Sequence, residues 1–314
     1  MNTEQRIVSL IASATEIVAA LGFEDSLVGR SHECDFPPCV SCLPVCSEQR
    51  IDVSGTSLEI DRSVRKTVRE VLSVYSVFLH ELNRLQPTHI ITQTQCDVCA
   101  VNLRDVEAAV CEMTGIRPEI VSLEPMCLAD IWHDIARVAA AINATDSGRQ
   151  LIESLQSRLE TVRSKTSRNK TRPTVFCLEW LEPLMSAGNW VPELVEIAGG
   201  QAVLCEAGRH SPYLTWDDLL EADPDVIAIM PCGFNMERTQ RELFLLSAHP
   251  HWQKLAAVRN DRVYLTDGNQ FFNRPGPRVV ESAEILFDLI HDGVRPRKHG
   301  LEAWIPLLNE PHHS

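Results

Sequence analysis

The sequence predicts an α/β protein with parallel sheets covered by helices, arranged as two similar lobes. Short apolar segments alternate with amphipathic segments along most of the 314-residue chain, as expected for successive strand–helix–strand units. The alternation starts again after Pro173, and the helix–proline–strand run at 82–91 is echoed at 219–228. We therefore expect an N-terminal lobe at 1–146, a joining segment at 147–170, a C-terminal lobe at 171–292 and an irregular tail at 293–314.

In the first half, a strand is predicted at Arg6–Ile11, and the S-x-x-E spacing of Ser13 and Glu16 indicates a capping box at the next helix. An apolar stripe predicts one long helix over Ile60–Leu85, which Pro87 ends. The elements that follow are a strand at His89–Thr92, a helix at Leu103–Met113, a strand at Glu119–Leu123 and a helix at Leu128–Ile142.

The segment Ser147–Lys165 is polar with one apolar stripe, so it predicts either a surface helix or a helix that bridges the lobes. The elements predicted after it are strands at Thr174–Leu178, Val226–Met230 and Arg262–Thr266, and helices at Val191–Ile197, Thr215–Glu221, Arg238–Leu246 and Pro277–His291.

Composition excludes several classes of protein. A hydrophobic fraction of 44% argues against disorder, and no apolar run reaches the ~20 residues of a membrane-spanning helix. The 29 basic and 43 acidic side chains give a net charge of −14, which disfavours a nucleic-acid partner. The first residues lack the pattern of a signal peptide, and 11 cysteines suit a reducing compartment, so we expect a cytoplasmic protein.

Ligands of parallel α/β sheets bind beyond the carboxyl ends of the strands, so the segments that follow each strand hold the candidate binding residues. Those of the first half are Ser13, Thr15, Glu16, His32, Glu33, Asp35 and Gln95. The second half is rich in flat rings beside polar groups, which suit a large planar ligand. Its candidates are Glu179, Trp180, Asn189, Trp190, Phe234, Asn269, Phe271, Phe272, Asn273 and Arg274.

Cysteine spacing indicates a possible metal centre. His32, Cys34, Cys96 and Cys99 form a set of nitrogen and sulfur donors that suits zinc or an iron–sulfur cluster. A second cysteine cluster at 39–46, in a proline-rich loop, is a further candidate. The sequence contains none of the phosphate-loop, dinucleotide-binding, serine-hydrolase or zinc-protease motifs, so we do not expect an enzyme.

Several motifs resemble a known family. They are the opening strand with 12–16, Ser31-His32-Glu33-Cys34-Asp35, Cys96-Asp97-Val98-Cys99-Ala100, Cys177-Leu178-Glu179-Trp180, 230–234 and 267–278. They are similar to the cobalamin/iron-siderophore class of periplasmic-binding-protein folds, and more narrowly to a leaderless subgroup called cobalamin-binding. The resemblance implies two Rossmann-like lobes with parallel sheets, joined by a single long helix, with a ligand cleft between the lobes.

The leading hypothesis is a cytoplasmic, non-catalytic protein that holds a corrinoid such as cobalamin, or a related tetrapyrrole, in this cleft. Trp180, Trp190, Phe271 and Phe272 would pack on the macrocycle, Asn269 and Arg274 would lie near its rim, and His32 or Cys34 would approach the metal.

Two alternatives stay open. One is a metalloprotein or enzyme that binds zinc or an iron–sulfur cluster through the cleft cysteines, with Glu33 or Asp35 as base. The other is the substrate-binding component of an ABC importer, which would dock on a permease and would need a signal peptide upstream of this sequence.

Overall fold

The computed structural model describes residues 5–70, 74–94, 101, 103–115, 117–166, 171–291 and 303–307. The chain forms two compact units. Unit 1 contains Met1–Gly55 and Glu59–Leu155, and unit 2 contains Thr56–Leu58 and Gln156–Ser314. Helices alternate with strands in both units, which confirms the predicted α/β class. None of the helices in the described ranges combines the length and apolar character that a membrane span requires.

Unit 1 is built on a parallel sheet of four strands. The strands of this unit are β1 (Ile7–Ser9), β2 (Leu27–Arg30), β3 (Ser47–Gln49), β4 (Tyr75–Val77), β5 (His89–Gln93) and β6 (Glu119–Leu123). The sheet order is β2-β1-β5-β6 with parallel pairing throughout, while β3 and β4 form a separate antiparallel ribbon. Parallel pairing places the carboxyl ends of β1, β2, β5 and β6 at one edge of the sheet.

The helices that begin in the first half are α1 (Ala12–Ala20), α2 (Ser57–Arg69), α3 (Leu79–Leu85), α4 (Leu103–Glu112), α5 (Leu128–Ala141) and α6 (Thr145–Thr166). Short 3-10 turns occupy Glu24–Ser26 and Pro38–Cys42. The core of unit 1 packs apolar side chains of the sheet, including Val8 and Ile90, against Leu82 and Leu85 of α3 and Val106 of α4.

The long helix predicted over Ile60–Leu85 is wrong, because β4 separates α2 from α3. The segment Tyr75–Val77 contains an aromatic and a β-branched residue, both typical of strands, and it pairs with β3. Tyr75 is buried in the unit 1 core, so its burial serves a strand rather than a continuous helical stripe.

The predicted capping box is also absent. Helix α1 begins at Ala12 and its N-cap is Ile11, which makes no side-chain capping bond. Ser13 and Glu16 therefore lie inside the helix, and both are buried.

Unit 2 is built on a second sheet. Its strands are β7 (Thr174–Trp180), β8 (Met185–Ser186), β9 (Gln201–Ala202), β10 (Val226–Ile229), β11 (Val263–Thr266) and β12 (Trp304–Pro306). Its helices are α7 (Val191–Ile197), α8 (Trp216–Ala222), α9 (Met236–Glu242), α10 (Phe244–Ser247), α11 (Ala256–Arg259) and α12 (Val279–His291). A 3-10 turn occupies Trp252–Lys254.

The order β12-β11-β10-β7-β8 has a parallel centre, with β10 paired to both β7 and β11, and β9 joins β7 in parallel. Strands β8 and β12 are antiparallel to their neighbours. The carboxyl ends of β7, β10 and β11 therefore share one edge of the unit 2 sheet.

The long helix α6 contains the boundary between the units, which falls between Leu155 and Gln156. Its unit 2 part packs an apolar stripe inward and forms ion pairs with α12. The guanidinium of Arg158 lies 3.0 Å from a carboxylate oxygen of Glu281 and 3.0 Å from one of Glu284. Apolar packing and the ion pairs of Arg158 therefore both fix the unit 2 part of this 22-residue polar helix.

The irregular tail predicted at 293–314 contains one regular element among its described residues, the strand β12. Trp304 is 1% exposed and its ring meets the edge of the Tyr264 ring with the centroids 5.2 Å apart. Trp304 and Ile305 are an aromatic and a β-branched residue, both of which favour strands. The irregular tail was predicted from the proline and histidine content of the whole segment, which does not reflect these two residues.

We expect Trp304→Ala to lower the free energy of unfolding of the full chain by about 3 kcal/mol, because it removes a fully enclosed aromatic side chain. The measurement is urea denaturation followed by circular dichroism. Phe244→Ala is the control, since that ring is 56% exposed and its loss should change stability by about 0.5 kcal/mol or less. Equal effects of the two substitutions would contradict the docking of β12.

Candidate functional site

In unit 1, the segment 31–35 follows β2 at the carboxyl edge of the sheet, and Cys34 fixes it to α1. The Cys34 thiol is 1% exposed. Oγ1 of Thr15 lies 3.0 Å from Sγ of Cys34 and 2.8 Å from Oγ of Ser9, so these three side chains form one buried polar cluster. Burial raises the pKa of the Cys34 thiol, and the hydrogen bond from Thr15 opposes this rise.

His32 and Glu33 lie beside the cluster and are partly exposed. Nδ1 of His32 is 3.1 Å from Oγ of Ser47, and its ring faces that of Tyr75 with the centroids 5.5 Å apart. Burial lowers the pKa of His32, which favours the neutral imidazole. Oε1 of Glu33 accepts hydrogen bonds from Tyr75 and Gln49, both at 3.4 Å, so the carboxylate belongs to a network with the β3–β4 ribbon.

The expectation that His32 or Cys34 approaches a metal stays a prediction. Nε2 of His32 is enclosed and makes no hydrogen bond to any described residue, and Cys34 is enclosed as well. Ser13, Thr15 and Glu16 are buried inside α1. Among the unit 1 candidates that the structure describes, Asp35 is the exposed one.

The predicted metal set is incomplete in what the structure describes. Cys96 and Cys99 lie outside the described residues, as does Gln95. Within the described ranges, no group of three or more histidine, cysteine or carboxylate side chains is arranged to hold a metal ion. The metal centre therefore stays a prediction, and the buried, protonated thiol of Cys34 does not favour it.

In unit 2, Glu179 lies near the end of β7. Its Oε2 accepts a hydrogen bond of 2.8 Å from Oγ of Ser211, which in turn accepts one of 3.0 Å from the backbone N–H of Gly188. Burial raises the pKa of Glu179 to about 7, against the opposing hydrogen bonds from Ser211 and Gly188. Near neutral pH this group therefore exists in both its charged and its protonated form.

Trp180 and Phe234 form an aromatic pair at the same edge of the sheet. Their ring centroids lie 5.2 Å apart with an interplanar angle of 55°. The guanidinium of Arg238 lies 4.8 Å from the centroid of the Phe234 ring, and it is paired at 2.8 Å with the buried carboxylate of Glu242. Since Trp180 also donates its indole N–H to the Ser57 carbonyl at 3.1 Å, the pair is fixed in position.

Glu242 extends this cluster, which we call the Trp180 cluster (Ser57, Trp180, Phe234, Arg238 and Glu242). Its Oε2 accepts a 2.8 Å hydrogen bond from the backbone N–H of Ser57, which begins α2 but belongs to unit 2. Rings, a cation and a carboxylate are thus combined in one rigid group at the carboxyl edge of β7 and β10.

The segment 267–278 follows β11 and folds into a hydrogen-bonded loop. The carboxylate of Asp267 accepts bonds from the backbone N–H groups of Asn269 (3.0 Å) and Gln270 (2.8 Å). The side-chain amide of Asn273 donates to the carbonyls of Met230 (3.1 Å) and Gly268. The loop is therefore tied to the loop that follows β10.

Gly268 shows how closely these two loops approach. A Cβ atom added at this position would lie 2.1 Å from the carbonyl oxygen of Pro231, which is far inside van der Waals contact. Only a residue without a side chain fits, so the glycine that marked this segment in the sequence has a packing role.

Two predicted ligand-contacting rings are enclosed in unit 2. The Trp190 ring is 4% exposed and donates its indole N–H to the Phe272 carbonyl at 2.8 Å, and Phe272 is 1% exposed with a φ of +68°. Their packing on a macrocycle stays a prediction. Phe271 and Arg274 are also buried, and Arg274 donates to Oδ1 of Asn269 at 3.2 Å.

Asn189, Asn269 and Asn273 are partly buried at this end of unit 2, together with Glu179 and Trp180. Asn189 has a φ of +52°, and its backbone N–H donates to the Arg209 carbonyl at 2.6 Å. Phe234 is 7% exposed, as Phe271 is. Contact of these unit 2 side chains with a ligand stays a prediction.

Sequence reasoning missed the partners that set these side chains in place. Arg238 follows Phe234 by one helical turn and follows the N-cap Asn235, whose Oδ1 accepts from the Arg238 N–H at 2.8 Å, so helical spacing was a usable signal. Ser211 and Ser57 carried no such signal, because their roles depend on contacts between residues distant in sequence.

Comparison with known proteins finds one matching family model and three similar proteins. A family model described as periplasmic binding protein matches residues 7–269. The vitamin B12-binding protein of Vibrio cholerae is 23% identical over 284 residues, covering 89% of this chain and 87% of that protein.

Two solved structures share the fold. An ABC transporter substrate-binding protein from Listeria monocytogenes EGD-e superposes with a TM-score of 0.70 at 20% identity, covering 92% of this chain and 100% of that one. A periplasmic heme-binding protein from Pseudomonas aeruginosa gives a TM-score of 0.72 at 17% identity, covering 98% and 99%.

The Glu179 carboxyl predicts a pH-dependent stability. Its pKa is about 7 in the folded state and 4.5 without the fold, so the folded state keeps this proton over a pH range in which the unfolded state has released it. The titration of Glu179 therefore lowers the free energy of unfolding of the wild type as pH rises from about 4.5 to about 7. Above this range the contribution no longer changes with pH.

The substitution Glu179→Gln removes this titration. We expect the difference in free energy of unfolding, variant minus wild type, to increase by about 2 kcal/mol as the pH rises from roughly 5 to 8. Urea denaturation at several pH values measures this gain. Glu206→Gln removes a carboxylate that is 75% exposed and serves as the control. If the difference in free energy of unfolding between Glu179→Gln and wild type did not change with pH, the raised pKa of the buried Glu179 carboxyl would be contradicted.

Proposed function

Because this chain belongs to the periplasmic binding protein family, we propose that it is a non-catalytic binding protein for a corrinoid or a related tetrapyrrole. The ligand is proposed to bind against the carboxyl edge of the unit 2 sheet, where the rings of Trp180 and Phe234 lie. We also propose, from the composition and the cysteine content, that the protein acts in the cytoplasm.

The Trp180 cluster is the observation that carries this proposal. A corrinoid or a porphyrin offers a broad apolar face and a polar rim, and a protein site for it needs rings beside a few fixed polar groups. The Trp180–Phe234 pair supplies the rings. The charged groups are the Arg238 guanidinium, 4.8 Å from the centroid of the Phe234 ring, and the Glu242 carboxylate paired with it. The names of the relatives from Vibrio cholerae and Pseudomonas aeruginosa give vitamin B12 and heme as the two ligand classes to test.

Unit 1 presents polar groups at the carboxyl edge of its own sheet. Asp35 is exposed and Glu33 is partly exposed, at the carboxyl end of β2. The enclosed Nε2 of His32 and the enclosed Sγ of Cys34 are not assigned as ligands of the bound metal. We therefore propose that the ligand is held by its faces and rim, and that its metal keeps the axial ligands it brings with it.

Titration of the full chain with cobalamin and with heme, followed by absorbance and calorimetry, tests the proposal. We expect saturable binding of one of them, and Phe234→Ala should weaken it at least about tenfold because it removes half of the aromatic pair. Trp180→Phe, which keeps a ring, should lose less. Phe244→Ala, on an exposed ring, should bind as wild type does. Absence of binding at tens of micromolar for both ligands would overturn the proposal.

The spectrum of the bound ligand tests the absence of an axial protein ligand. We expect His32→Ala and Cys34→Ala to leave the visible spectrum of bound cobalamin or heme unchanged, since axial ligands control that spectrum. A spectral shift in either variant, with the fold retained by circular dichroism, would assign that residue to the metal.

Cell fractionation separates the proposed location from the importer alternative. Recovery of the native protein with cytoplasmic markers supports the proposal. Recovery outside the cytoplasm would favour a substrate-binding component that docks on an ABC permease.

A further inference from the structure

Two cysteines outside the candidate site share a short turn. Cys39 and Cys42 lie within the 3-10 turn Pro38–Cys42, and both side chains are exposed. A 3-10 helix has three residues per turn and rises about 2 Å per residue, so residues i and i+3 lie on one face about 6 Å apart. Disulfides bridge Cα atoms at separations of this size. The Cys42 thiol lies 2.9 Å from the Cys39 carbonyl oxygen, directed back along the turn toward Cys39.

Arg30 at the end of β2 holds this turn from both sides. Its guanidinium donates to the Ser41 carbonyl at 3.2 Å, between the two cysteines. Its backbone N–H donates to the Pro44 carbonyl at 3.0 Å, and its carbonyl accepts from the Cys46 N–H at 2.7 Å. The turn is therefore anchored to the sheet, and this anchoring fixes the backbone that carries Cys39 and Cys42.

The neighbouring thiols are chemically separate from this pair. Cys46, four residues beyond the turn, is buried, and burial raises its pKa to about 12. Cys34 is buried as well. Because the thiolate is the reactive form of cysteine, enclosed thiols of this kind are inert. Of the four cysteines between residues 31 and 50, only Cys39 and Cys42 are open to solvent.

We propose that Cys39 and Cys42 form a redox-active dithiol that exchanges with low-molecular-weight disulfides such as oxidised glutathione. The thiolate of one cysteine attacks a sulfur of the disulfide, which breaks the S–S bond and releases one small thiol. The second cysteine then attacks the protein-bound sulfur and releases the other small thiol. The two cysteines are oxidised to a disulfide, and the oxidant is reduced to two thiols, which take up the two protons that the cysteines lose.

The test is incubation of the native full chain with oxidised glutathione, followed by trypsin digestion and mass spectrometry without reduction. We expect the peptide Ser31–Arg50 to lose two hydrogen atoms, with the cross-link assigned to Cys39 and Cys42 by fragmentation. Dithiothreitol should restore the original mass. Cys39→Ser and Cys42→Ser should each retain a glutathione adduct on the remaining cysteine, because the second exchange step has no partner.

Cys111→Ser is the matched control, because it removes a different exposed thiol of unit 1. It should leave the formation of the 39–42 cross-link unchanged. The proposal is overturned if the wild-type peptide keeps all its thiols or stops at a glutathione adduct. It is also overturned if the Cys42→Ser peptide still loses two hydrogen atoms, since Cys34 or Cys46 would then be the partner.

Discussion

Parallel strand pairing is the constraint on which both units depend. In unit 1, β1 pairs in parallel with β2 and β5, and in unit 2, β10 pairs in parallel with β7 and β11. Parallel pairing obliges every chain segment that leaves these strands to start from one edge of the sheet. Segments far apart in sequence, such as Glu179–Trp180 and Phe234, are thereby brought together without any local signal. The chemistry of each unit is concentrated where its strands end.

Burial then decides which of the gathered side chains remain available. Around Cys34 in unit 1 and around Phe272 in unit 2, hydrogen bonds and packing enclose groups whose chemistry suited a ligand. These enclosed groups build the rigid loops on which Trp180, Glu179 and Asn269 are presented. Exposure in the folded chain is therefore a property that a list of chemically suitable residues does not contain.

The fold was largely predictable because its signals are local. Apolar periodicity located β6 at Glu119–Leu123 and α7 at Val191–Ile197, and the resemblance to the periplasmic-binding-protein class gave the two-unit arrangement. Local signals failed where tertiary pairing overrode them. The stripe from Val64 to Leu82 fits a helix, yet Tyr75–Val77 pairs with Ser47–Gln49, and the S-x-x-E run lies inside α1. The sequence predicted which segments form the candidate site but not the individual hydrogen bonds within it. Those contacts and the exposure of each side chain depend on packing between residues that are far apart in sequence.

The contact between Gly268 and the Pro231 carbonyl restricts how this protein is able to diversify. The loops after β10 and β11 touch through bare backbone, so any side chain at position 268 would push them apart and displace the amide of Asn273 from its two carbonyl acceptors. If the proposed function holds, substitutions that change ligand preference are therefore expected at neighbouring positions such as Asn269 and Phe234. Libraries built to alter selectivity should hold residue 268 constant and vary those flanking positions.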